Sequence, residues 1–271
     1  MKQTIITPER ANPLFDISEI WKYRELFYFF AWRDVKVRYK QTLLGFGWAI
    51  LQPLMTMIVF SIFLGRTGRI PTDGHPYPIF VLSGLVPWLY FSNSINFSSN
   101  SVYVNRDLVK KVYFPKLILP ISSIFVGCVE LLISTLFLLI LLPLFKVPLS
   151  FRLIALPFFY LLVLSITCCV SFSLSALVAL YRDFRYLTAF LLQLWLFVSP
   201  VVYPLELIPE NWQLFYSLNP MVSIIMLFRW IVFHSDFLWP QFTLSILSSI
   251  MIGILGLKYF QSMEIKFADY V

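Results

Sequence analysis

Residues 105–117 read N-R-D-L-V-K-K-V-Y-F-P-K-L. The segment carries Arg106, Asp107, Lys110, Lys111 and Lys116, and the chain on either side of it is almost purely apolar for about twenty residues, the length of a membrane crossing. A loop between two crossings needs only a few polar residues. This one is basic, ends at Pro115, and carries Val104, Leu108 and Val112 at helical spacing, so it reads as a short helix over 104–113.

The flanks decide the solvent. Of the 271 residues 59% are hydrophobic and 13% charged, and the mean hydropathy is +0.79. A soluble domain is about one-quarter charged, so the medium that accepts this chain is a bilayer. Six crossings are predicted, at about 47–64, 78–98, 117–142, 151–180, 186–204 and 241–260. The first ~30 residues are mixed in charge and lack the short apolar core of a cleavable leader. Cys128, Cys168 and Cys169 all fall in apolar runs and form no disulfide or zinc pattern.

An even number of crossings puts both termini on one side. That side collects Lys2, Arg10, Lys22, Arg24, Arg33, Lys36, Arg38 and Lys40, then Arg106, Lys110, Lys111 and Lys116, then Arg182, Arg185, Lys258 and Lys266. The other side has Arg66, Arg69, Lys146, Arg152 and Arg229. Sixteen against five places the termini and the 105–117 loop in the cytoplasm. Topology therefore accounts for the net charge of +7, and nucleic acid is not needed as a partner. Residues 15–32, with aromatics among Lys and Arg, are expected to form an amphipathic helix in the cytoplasmic interface, against membrane lipids. Between crossings five and six, Pro200, Pro204, Pro209, Pro220 and Pro240 punctuate an apolar stretch, and 205–235 is expected to form short re-entrant helices of an external gate. The expected fold is an all-α polytopic membrane protein, a single domain over 1–271.

Little here is catalytic. There is no phosphate loop, only His75 and His234 as histidines, and no H-E-x-x-H or D-x-D. Glu130 stands alone inside crossing three, as a functional carboxylate or a hydrogen-bonded packing residue. Trp88, Tyr90, Phe91 and Phe97 in crossing two, with Trp195 and Phe197 in crossing five, exceed an ordinary interfacial belt. Interleaved Ser and Asn would let such rings carry a sugar chain, whose C–H faces stack on aromatics. Small polar residues equally serve helix packing, and both readings stay open.

Five phrases in order complete the picture: R-D-V-K-V-R-Y-K-Q-T-L-L-G-F-G-W-A-I-L-Q-P-L (33–54), L-V-P-W-L-Y-F (85–91), L-V-K-K-V-Y-F-P-K-L-I-L-P (108–120), Y-R-D-F-R-Y (181–186) and S-P-V-V-Y-P (199–204), the last followed by L-N-P-M (218–221) and Arg229. Together they resemble the permease subunit of type-2 ABC exporters, in the branch that exports lipid-linked polysaccharide of the O-antigen type. The resemblance implies a homodimer in the inner membrane, a separate nucleotide-binding subunit that binds ATP and Mg, no cofactor in this chain, and a polyprenyl-diphosphate-linked glycan as substrate. It implies that Arg106, Asp107, Leu108, Lys110, Lys111 and Val112, with Val104, couple to the ATPase, and that Arg182, Asp183 and Arg185 make a smaller contact. Arg33, Lys36, Arg38, Tyr39, Lys40, Leu44 and Gly45 would form the substrate entrance, and Pro200, Tyr203, Asn219, Pro220 and Arg229 the external gate. The neighbouring readings are a teichoic-acid, lipid or drug exporter of the same build, a membrane-embedded enzyme of envelope glycan synthesis, and a secondary transporter. The enzyme lacks its acid, base and metal motifs. The transporter lacks internal repeats and coupled intramembrane charges.

Overall fold

The computed structural model describes residues 17–40, 42–65, 70–72, 74–264 and 267. Lys2, Arg10, Arg66, Arg69, Lys266 and the first two positions of the expected interface helix lie outside them. The described chain is helical without strands: α1 (Ile17–Lys22), α2 (Arg24–Tyr39), α3 (Trp48–Phe63), α4 (Tyr77–Val104), α5 (Arg106–Lys111), α6 (Ile118–Leu144), α7 (Leu156–Leu180), α8 (Asp183–Phe197), α9 (Glu210–Tyr216), α10 (Pro220–Phe233) and α11 (Trp239–Glu264). Five helical stretches are long and apolar enough to cross a membrane: Gly45–Phe63, Tyr77–Val104, Ile118–Leu144, Phe151–Leu180 and Trp239–Glu264. A sixth exists if α9 and α10, bent by 105° at their junction, count as one broken span.

The predicted fifth crossing, 186–204, is corrected. Its helix, α8, starts at Asp183 and stops at Phe197 after 15 residues, about 22 Å at 1.5 Å per residue. Ser199-Pro200 and Tyr203-Pro204 break the helix before the apolar run ends, because the residue before a proline is driven out of the helical region. The interface helix is corrected too: a break at Tyr23 divides it, and its main part, α2, continues to Tyr39.

Helix α4 is the axis. It packs against α3, α6, α7, α8 and α10, and most of its side chains are buried. Lipid tails are as apolar as leucine, so helices associate in a bilayer through close packing and polar contacts. The Ser-rich half of α4 supplies both. Ser94, Ser98, Ser99 and Ser101 are buried, the Ser98 hydroxyl meets that of Ser171 at 2.5 Å, and Ser175 donates to the Ser98 carbonyl at 3.1 Å. For these serines the packing reading holds. Outer helices keep Leu, Ile and Phe exposed, as lipid contact allows.

Prolines inside helices leave carbonyls without their usual donor. Pro53 cannot serve Ala49, and Ser134 of α6 donates to the Ala49 carbonyl instead, at 2.7 Å. At Gly84 the chain needs the absence of a side chain: a Cβ there would collide with the backbone of Val201. That contact seats the irregular 198–204 turn directly on α4.

The connections sort to two ends. One end holds α5, the Lys116–Glu264 contact at 4.0 Å, and a cluster of Phe30, Val109, Phe114, Phe260 and Phe267. The other holds the Tyr77–Val202 bond (3.1 Å), the His75–Phe233 stack and the Ser150–His234 bond (2.7 Å). Gly84→Ala is expected to lower the thermal unfolding midpoint of the purified protein by the equivalent of about 1–3 kcal/mol, the cost of overpacking. Gly47→Ala, where a new Cβ meets only ordinary contact at 3.6 Å, is expected to leave it within about 0.5 kcal/mol.

Candidate functional site

At the first end, α2 lies along α6 and brings two donors to one acceptor. Arg38 donates to Glu130 Oε1 at 2.9 Å, and the Tyr39 hydroxyl donates to the same oxygen at 2.6 Å. The Arg38 guanidinium lies 3.8 Å from the Phe97 ring centre, and Tyr39 stacks on Phe46 at 4.1 Å. The ion pair is largely sheltered, with side chains 14% and 17% exposed. Burial, then the Glu130 carboxylate, pushes the Tyr39 hydroxyl far above its usual range, so it remains a proton donor. Glu130 is therefore not alone. A carboxylate inside an apolar run demands a cation, and the nearest basic cluster in an aromatic helix was the available signal.

The other entrance residues divide by commitment. Arg33 bonds Asp34 and donates to Asn105 Oδ1 at 2.8 Å, tying α2 to the α4–α5 junction. Lys36, beside the Trp32 ring, and Lys40 are exposed. Leu44 is exposed, and Gly45 opens the following 3-10 turn at φ +49, a backbone region that suits glycine. Arg33, Asp34, Arg38, Phe97, Asn100, Val104 and Asn105 line an open cleft of about 210 Å³ between α2 and α4.

The coupling segment is reshaped. The expected single helix over 104–113 is broken at Asn105, and Val112 is extended at φ −128, ψ 134. Val104 ends α4, Leu108 sits on α5, and Val112 follows it, so no one helical stripe joins them. All three are exposed nonetheless, while Val109 and Phe114 turn inward to the second apolar cluster. Asp107, Lys110 and Lys111 are exposed. Arg106 and Arg185 both approach the Tyr103 ring, at 5.7 and 5.9 Å, which brings the start of α8 beside α5, with Arg182 and Asp183 exposed.

At the second end the chain runs irregularly from Phe197 to Pro204, and its carbonyls are claimed one by one. Tyr203 donates to Phe197 (2.7 Å), Asn219 to Val198 (2.9 Å), Arg229 to Val201 (2.8 Å) and Tyr203 (3.4 Å), and Tyr77 to Val202 (3.1 Å). Asn219 also caps α10 by accepting from Met221 N at 3.0 Å, with Pro220 at the first helical position, and accepts from Trp195 Nε1 at 2.9 Å. Arg229 is buried with its guanidinium 3.8 Å from the Phe80 ring centre. Pro200 is buried in the same turn.

The aromatic face is largely dismantled. Trp88, Tyr90 and Phe91 are buried inside the chain, with Phe91 edge-on to Trp195 at 5.4 Å. On this central helix these three rings point into the bundle and pack it, leaving almost no free surface. Phe97 and Phe197 are exposed, and Trp195 is partly so.

These features define a polytopic membrane protein with, among the described residues, five helices able to cross a bilayer and an irregular 198–204 turn stitched to them by side chains. The ABC-2 type transporter family matches residues 25–233, and the chain belongs to it. It is 29% identical over 261 residues to an O-antigen export system permease protein of Myxococcus xanthus, covering 94% of this chain and 98% of that one. It is 27% identical over 243 residues to a protein of the same name from Klebsiella pneumoniae, covering 88% and 91%. It is 24% identical over 202 residues to a polysialic acid transport protein of Escherichia coli, covering 73% and 77%.

Asn219→Ala is expected to cost about 3 kcal/mol, because Trp195, Met221, the Ser199 hydroxyl at 3.0 Å and the Val198 carbonyl lose their bonds together. Asn219→Asp keeps the acceptor for Trp195 and Met221 and is expected to cost less. Thermal unfolding and limited proteolysis of the 198–220 region measure both.

Proposed function

We propose that the chain is the channel-forming membrane subunit of an ATP-driven exporter of lipid-linked polysaccharide of the O-antigen type. The observation that carries this reading is the end-to-end match to permeases named for O-antigen export. The weaker match to a polysialic acid transporter favours, as a second reading, a capsule-type glycan moved by the same machine.

In this reading the chain forms one membrane domain over 1–271 and works as a homodimer in the inner membrane, with both termini in the cytoplasm. The excess of Lys and Arg at that end supports the orientation. The nucleotide-binding subunit is a separate protein and supplies ATP and Mg. It docks on Val104, Leu108 and Val112, which are exposed apolar side chains beside the cations of α5. Arg182, Asp183 and Arg185 make the smaller contact alongside. Helices α1 and α2 lie in the interface, with Trp21 of α1 and Tyr28, Phe29 and Trp32 of α2 exposed toward lipid headgroups. The entrance at α2 and Gly45 receives a polyprenyl diphosphate through Lys36, Lys40 and the Arg33–Arg38 cleft, where cations match phosphate charge. Helices α9 and α10 are re-entrant gate helices, and the 198–204 turn is their hinge. Phe97, Trp195 and Phe197 are the aromatic side chains with surface left for the glycan.

The test is complementation. Cells lacking their own permease, given this chain and its ATPase subunit, are expected to display surface polymer that cells given the ATPase alone retain inside. The Leu108→Asp, Val112→Asp double variant is expected to insert normally but recover less than about one-tenth of the ATPase on co-purification, since charge in a desolvated contact is costly. Undiminished recovery and export overturn the coupling assignment.

Topology is checked separately. In a cysteine-free background, Lys111→Cys is expected to react with an impermeant maleimide only in inverted vesicles, and Trp212→Cys only in intact cells with a permeable outer envelope. Labelling from the same side overturns the orientation.

A further inference from the structure

The Glu130 site has the form of an anion seat already filled. Two donors from consecutive residues of α2 converge on one oxygen, Oε1, and each donor is backed by a ring, Phe97 behind Arg38 and Phe46 against Tyr39. Such rigid backing fixes donors where an oxyanion belongs. Arg38 faces the open cleft it shares with Arg33 and Asn100. Glu130 also lines a second cleft, of about 10 Å³, with Trp48, Gln52 and Asn93, on α3 and α4. That volume is close to what one water needs, and the amides of Gln52 and Asn93 are hydrogen-bond donors.

We infer that Glu130 is an internal competitor for the anionic group of the transported lipid. A phosphate oxygen entering the α2–α4 cleft takes Arg38 and Tyr39, and the displaced carboxylate moves to the Gln52 and Asn93 side. The inference rests on the reading of the substrate as a lipid diphosphate. It adds a selection rule: only an anion of higher charge than a carboxylate displaces Glu130, so a diphosphate enters where a singly charged phospholipid headgroup does not. It also gives loading a physical consequence, because the ion pair that holds α2 to α6 opens when substrate binds. Glu130 is thus a positioning residue for the entrance.

The experiment uses the full chain in phosphatidylcholine nanodiscs, with farnesyl diphosphate as the probe and phosphatidylglycerol nanodiscs as the second arm. Glu130→Gln keeps an acceptor for both donors and removes the charge. It is expected to bind farnesyl diphosphate about tenfold tighter than the wild type, the scale of one partly sheltered ion pair. Arg38→Gln, alone or with Glu130→Gln, is expected to lose at least tenfold. Glu130→Asp, with its charge kept and its reach shortened, is expected to fall between wild type and Glu130→Gln. A merely structural pair predicts a lower unfolding midpoint in Glu130→Gln with equal or weaker binding, and that result overturns the competitor role. Wild-type binding that phosphatidylglycerol abolishes overturns the selection rule. No farnesyl diphosphate binding by any form overturns the lipid-diphosphate reading itself.

Discussion

A backbone carbonyl inside a membrane protein must find a donor, because hydrocarbon offers none. The structure depends on how this is met where helices fail. After Phe197 the chain leaves helical geometry within the bundle, and the carbonyls of Phe197, Val198, Val201, Val202 and Tyr203 are taken by Tyr77, Tyr203, Asn219 and Arg229. Those four come from α4, the turn itself, the cap of α10 and the body of α10. The broken segment is therefore not slack chain but a junction at which three elements are bound together. Gly84 completes it by letting the turn reach α4 at all. Pro53 poses the same problem on a smaller scale, and Ser134 answers it from the neighbouring helix.

Charge obeys the same economy at the other end. An isolated carboxylate in a crossing helix is expensive. Glu130 is held by Arg38 and Tyr39 of α2, so the price of burying it becomes the tie between α2 and the bundle. Arg33 makes a second tie, to Asn105 at the end of α4. Helix α2 is anchored by these polar bonds and leaves Tyr28 and Trp32 exposed.

What was legible in the sequence was whatever hydropathy and residue order carry. Four of the predicted crossings match helices α3, α6, α7 and α11 within a few residues, apart from the 3-10 turns that lead α3 and α7. The second predicted crossing, 78–98, is α4, which runs on to Val104, since Ser and Asn lower its hydropathy without ending its helix. The crossing at 186–204 misled because an apolar run does not distinguish helix from apolar irregular chain, and the prolines at 200 and 204 outrank it. The Val104/Leu108/Val112 periodicity was real as spacing but not as one helix, because Asn105 takes a non-helical conformation and bonds Arg33 from seventy-two residues away. Long-range polar partners of this kind leave no local pattern. For the same reason Trp88, Tyr90 and Phe91 read as a surface when their helix is in fact the axis.

The axis connects the two ends. Helix α4 spans 28 residues, about 42 Å of rise, from the Tyr77 contact with the 198–204 turn to the Asn105 junction with α2 and α5. Gly84 and Ser83 meet that turn and Arg229 near its start, and Tyr103 receives Arg106 and Arg185 near its finish. In the proposed exporter, force delivered to α5 by an ATPase therefore has a direct carrier to the gate. A packed helix moves as a body, whereas connecting loops of this length absorb displacement. Helix α8 has most of its apolar side chains exposed and α3 about half, apolar surface that suits lipid contact.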